Sequence, residues 1–97
     1  MKRDAIQNTI SALRDSAKAL DQKIIDSKTK EYLLRPALNA ISDVEIFLLP
    51  KALAAGNGSH ADMWFKMIDF QLGQAERQIQ LTKEMVANYG TSLQLIG

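Results

Sequence analysis

The sequence predicts an all-α protein, an up-down-up three-helix bundle with helices over about 2–27, 29–55 and 60–89. Apolar residues recur at steps of three and four through most of the chain, no segment alternates apolar and polar with β-branched enrichment, and the one glycine-rich turn lies between two helical patterns. Short connections make neighbouring helices antiparallel.

In the first helix Ile6, Ile10, Leu13, Ala17, Leu20 and Ile24 form a heptad seam. Its flanks carry Gln7, Arg14, Asp21, Thr9, Ser16 and Lys23, so the contact is narrow. The seam stops at polar Ser27, Lys28 and Glu31, which predicts a break near 27–30.

The second helix presents Leu34, Ala37, Leu38, Ile41, Val44, Leu48 and Ala52 on one broad face. Pro36 and Pro50 interrupt it, each either restarting or kinking the helix. Gly56-Asn57-Gly58 ends the element, because glycine accepts the positive φ found past helix ends.

Ser59 and Asp62 have the spacing of a capping box, and Asp62 suits the positive end of a helix dipole. Asp62 and Lys66 are spaced for an i,i+4 ion pair. The third helix shows a main face of Trp64, Ile68, Leu72, Ala75, Ile79, Thr82, Val86 and Tyr89, and Gly90 closes it. The tail, with Leu93, Leu95 and Ile96, is apolar enough to dock.

The 97 residues suit one domain, and 46% hydrophobic with 24% charged residues is ordinary for a chain that folds. With no cysteine, neither disulfides nor thiol chemistry are available. The net charge of +1 argues against dedicated polyanion binding. Residues 1–35 hold eight bases and five acids, so a nucleic-acid-associated regulator using those bases is the alternative reading. No stretch has the roughly 18 apolar residues of a membrane span, and the N-terminus has no apolar leader, so a cytoplasmic protein is expected.

No motif specifies a reaction, a metal or a cofactor, and the expectation is a protein that is not an enzyme. His60 stands alone, without the paired Glu-x-x-His of helical metal sites. Gly56 to Ser59 precedes a helix N-terminus but lacks the Walker spacing. Glu45 sits at the edge of the apolar face and is expected to pair with a base such as Arg14 or Arg77, to reach water, or to be buried as an acid. Together with the methionines and aromatics it allows a second alternative, a small-ligand site in the bundle. The length and helical plan are reminiscent of small secreted hairpins of the WXG type, of secretion chaperones and of bacteriocin immunity proteins. Trp64 is followed by Phe65 and Lys66, which removes the Trp-x-Gly turn, and no family is assigned.

The third helix carries the functional expectation. Met67, Phe70, Leu81 and Met85 form a second apolar stripe, with Gln71, Gln74 and Gln78 near and between the stripes. A bundle helix needs one apolar face, so a second copy, a protein partner or the tail must cover the other. Ile46 and Phe47 point away from the second helix's main face and join the candidates for partner anchors. The candidate interface is therefore Met67, Phe70, Gln74, Gln78, Leu81, Met85, Ile46 and Phe47. Self-association or partner binding there is the expected function, with the chain assembling into a larger helical bundle as an oligomer.

Overall fold

The structure, a computed structural model, describes residues 2–56 and 58–89. Helix α1 covers Lys2–Asp21 and buries Ile6, Ile10, Leu13, Ala17 and Leu20 along the predicted seam. It ends before the predicted 27. The N–H of Lys23 donates to Leu20 O at 3.0 Å and that of Ile24 to Asp21 O at 3.4 Å, and these three-residue bonds tighten the exit. Ile24, fully buried, continues the seam from the turn. Asp26 then starts α2, Ser27–Asp43, two residues before the predicted 29. Its carboxylate accepts from Thr29 N and from Thr29 Oγ1, both at 2.8 Å. Those two bonds hold the Asp26 carboxyl below the usual carboxylate range.

Pro36 lies inside α2, which runs through it. Proline offers no N–H to the carbonyl four residues back and crowds it, which loosens the local ladder. The long C-terminal helix answers at the adjacent carbonyl: Gln78 Nε2 donates to Leu33 O at 3.0 Å. Thr82, fully buried, sits beside the same carbonyl at 3.4 Å, its shorter contact of 2.8 Å being to Gln78 O.

A π-helical turn, Val44–Leu48, follows α2, with Leu49 N–H donating to Val44 O five residues back. Then comes α3, Leu49–Ala55, where Pro50 falls in the first turn and needs no N–H. The two prolines thus differ: Pro36 stands within regular α-helix, whereas Pro50 directly follows the π turn, the backbone at Leu48 and Leu49 staying helical.

The π turn sets the register of this rod. Before it the buried positions are Leu33 and Leu34, Ala37, Ala40 and Ile41, and Val44. Continued by sevens, that pattern would bury positions 47, 48 and 51. The buried residues are instead Leu48, Leu49 and Ala52, each one later. One extra residue in the turn accounts for the offset, and it keeps Lys51 out of the core.

Gly56 ends α3 with φ 75° and donates to Leu53 O at 3.3 Å, as the glycine turn predicts. Gly58 has φ 102°, and its carbonyl accepts from Asp62 N at 3.0 Å. Gly58 is therefore the cap, Ser59 is the first helical residue, and the predicted capping box does not form. Asp62 and Lys66 do not come within ion-pair distance.

Helix α4, Ser59–Tyr89, is 31 residues long. That is about 46 Å of helix, nearly the 50 Å long dimension of the protein. It buries Ile68, Leu72, Ala75, Ile79 and Thr82, with Trp64 and Val86 half-buried. Helix α1 packs on α2 and α4, while α3 packs on α4 and the π turn, so that α2, the π turn and α3 together form the second rod of the bundle. Asp21 meets Lys30 at 3.7 Å and Arg14 meets Glu45 at 2.8 Å, so α1 and the second rod run antiparallel. Leu33 meets Gln78, and farther along Lys51 meets the Trp64 ring, so the second rod runs antiparallel to α4, completing up-down-up. The predicted all-α class holds, with no strand among the described residues. No helix there is long and apolar enough to cross a membrane. The expected docking of Leu93, Leu95 and Ile96, and the closure at Gly90, lie outside the described residues.

The register can be tested at adjacent positions. Ala52→Leu should destabilise the fold by roughly 1–3 kcal/mol through overpacking. Lys51→Leu should change stability by less than about 1 kcal/mol, the size of an exposed cation–aromatic contact. Chemical denaturation reads both, and an uninterrupted α-helix would reverse their order.

Candidate interaction surface

One third of the way round α4 from its core line, about 120°, a second strip of side chains is largely apolar. At 100° per residue Met63, Met67, Phe70, Gln74, Gln78, Leu81 and Met85 fall within an arc of about 80°. Phe70 is 60% exposed, Leu81 50%, Met63 47% and Met67 44%. Met85 is half-buried against the core, Gln74 is exposed, and Gln78 is half-buried through its bond to Leu33. The predicted stripe is thus one strip of surface, and the described residues leave most of it uncovered. Met63 belongs to it and was not predicted as part of it. Its signal was the four-residue step to Met67 and the seven-residue step to Phe70.

Along its C-terminal half the stripe becomes one wall of a groove. Gln78, Leu81 and Met85 of α4 face Tyr32, Pro36 and Asn39 of α2 across a trough of about 720 Å³. Tyr32 is the most exposed large apolar side chain among the described residues, at 77%. It lies one turn before Pro36 on the outer side of α2, where the apolar periodicity of the core gives no reason to look. Glu31 and Arg35 close the rim with a two-pronged pair at 3.0 and 3.1 Å. The groove is the side of the α2/α4 pair that α1 does not fill.

Ile46 and Phe47 are exposed, as expected, but on the π turn of the second rod, and they do not line this groove. Ile46 lies two residues from both Val44 and Leu48, which are buried, so it faces away from the core. The structure therefore brings six of the eight predicted interface residues onto one strip and sets these two apart on another element.

Glu45, also on the π turn, is neither buried nor free. Arg14 Nη2 lies 2.8 Å from Glu45 Oε1, with both side chains about two-fifths exposed. The hydrogen bond from Arg14, aided by its charge, holds the Glu45 carboxyl below the usual carboxylate range. Of the two partners expected, Arg14 is the one used. His60 is exposed at the start of α4, its ring 6.3 Å from that of Trp64, and Lys51 Nζ lies 5.6 Å from the Trp64 ring centroid. Among the described residues no three His, Asp or Glu side chains converge as metal ligands.

The bases of residues 1–35 do not form a free cationic surface throughout. Arg14, Lys30 and Arg35 each meet a carboxylate, on Glu45, Asp21 and Glu31. Comparison with protein families, with curated proteins and with solved structures finds no match for this chain.

The Arg14–Glu45 pair has a defined pH signature. A depressed carboxyl pKa means the pair contributes above the usual carboxylate range and is lost as pH falls through the folded pKa. Arg14→Gln should raise the Glu45 pKa toward its ordinary value in a carboxyl NMR titration. It should lower stability at neutral pH by no more than about 1 kcal/mol, given the exposure of the pair, and that difference should close on acidification.

Proposed function

We propose that this chain is a non-enzymatic, cytoplasmic protein-interaction module that works by self-association through the outer stripe of α4 and the adjoining α2/α4 groove. The observation that carries the reading is the exposure of Met63, Met67, Phe70 and Leu81 along a helix whose main apolar face is already packed in the core. Burying such side chains contributes roughly 1.5–3 kcal/mol each. Four in one strip make an exposed patch of the kind that marks interaction sites on soluble proteins. Methionine and phenylalanine suit the role, since both are enriched at the centres of protein interfaces.

The pairing of Arg14, Lys30 and Arg35 with carboxylates weighs against the nucleic-acid reading, because a base already neutralised releases fewer counterions. The α2/α4 groove is an open trough along the molecule, suited to a helix more than to an enclosed small ligand.

Light scattering over a hundredfold concentration range tests the proposal. The wild-type chain should reach a stable multiple of 10.8 kDa. A variant with Met67→Gln, Phe70→Gln and Leu81→Gln should stay monomeric with unchanged helix content by circular dichroism. A wild-type chain that remains monomeric throughout, or a variant that assembles as the wild type does, overturns the proposal.

A further inference from the structure

The stripe on α4 is symmetric about its own middle. Taking Gln74 as centre, Met67 and Leu81 lie seven residues to either side, and Met63 and Met85 lie eleven to either side. Phe70 and Gln78 complete the pattern at four. An α-helix with such a strip matches a second copy of itself run in the opposite direction: Met67 meets Leu81 and Met63 meets Met85 on both sides of the centre, while Phe70 meets Gln78 and Gln74 meets Gln74. We propose that the occupant of this surface is a second copy of the chain, packed with its α4 antiparallel to the first about a two-fold axis through Gln74. The proposal rests on the self-association reading above and specifies its geometry.

The charges beside the stripe favour this direction. Lys66 and Glu84 lie on the flank away from α2, about 80° from the stripe's centre line. Neither has an ion-pair partner among the described residues. Lys66 is eight residues before Gln74 and Glu84 ten after. In the antiparallel pair each Lys66 therefore comes opposite Glu84 of the second copy, offset by about 3 Å along the axis. In a parallel pair the two would be about 27 Å apart along it. The same reversal puts Phe70 beside Arg77 of the second copy, a cation over an aromatic ring. On the inner flank, Tyr32 and Pro36 line the groove beside Leu81 and Met85. They would meet Met67 and Met63 of the second copy, so the exposed Tyr32 ring gains a cover. Gln74 faces its own copy, and two carboxamides can donate to each other reciprocally.

The chain has no cysteine, so single cysteines report the geometry cleanly. Gln74→Cys should form an intermolecular disulfide under mild oxidation. Met67→Cys alone should not, because its two copies would lie about 21 Å apart along the axis. A mixture of Met67→Cys and Leu81→Cys chains should cross-link to each other. A charge exchange gives an independent readout: Lys66→Glu or Glu84→Lys alone should raise the dissociation constant by roughly two- to tenfold, and the double exchange should restore it. Self-linking of Met67→Cys as efficient as that of Gln74→Cys would mean parallel pairing and overturn the geometry while leaving self-association standing. A dimer in which neither Gln74→Cys nor the mixture links would move the interface elsewhere and overturn it too. A chain monomeric at all concentrations would remove the reading beneath it.

Discussion

A rod of helix crossed by two prolines must keep one line of side chains in the core, and the second rod of this protein meets that constraint with one extra residue. Pro36 is passed with the helix intact. Before Pro50 the ladder changes to five-residue spacing over Val44–Leu48. Everything downstream depends on that change of phase. It turns Leu48, Leu49 and Ala52 inward, where they support the first half of α4, and it places Lys51 over the ring of Trp64. It also leaves Ile46 and Phe47 exposed, and it holds Glu45 where Arg14 of α1 can reach it. π turns tend to survive where a position on the surface is worth the irregularity.

Two polar contacts tie the three rods together at points where apolar packing alone would allow sliding. Gln78 reaches the Leu33 carbonyl next to the proline-loosened turn, and Arg14 reaches the carboxylate on the π turn. Each contact sits beside an irregularity in the second rod, so each fixes the register of a neighbouring helix against a landmark. The α2/α4 pair has two grooves and α1 fills one of them. The uncovered groove and the stripe beside it are consequences of having three rods where a four-helix bundle would supply a fourth.

Much of this was legible in the spacing of apolar residues. The α1 seam from Ile6 to Ile24 is buried throughout, and the main face of α4 is buried from Ile68 to Thr82. Helix ends were less legible, because local side-chain chemistry decides them: Asp26 with Thr29 restarts the chain early, and Gly58 caps α4 through its own carbonyl. As for the surface, the α4 stripe could be read because its period is that of the helix. Tyr32 could not, since its importance comes from lying across a groove from Leu81 and Met85, a relation set by packing between distant parts of the chain. Ile46 and Phe47 were correctly expected to be exposed, yet the sequence could not show which side of the bundle the π turn would give them.

The glycine turn between α3 and α4 has a further meaning for anyone handling this protein. A Cβ built at Gly56 or Gly58 meets nothing within 4 Å, so glycine is required there by backbone angle and not by crowding. A tip limited only by its dihedral angles has room around it, and lengthening a loop adds little closure entropy. The hairpin tip is accordingly a natural attachment point, where a fluorescent label, an epitope or a whole second domain could be spliced in while both helices keep their packing.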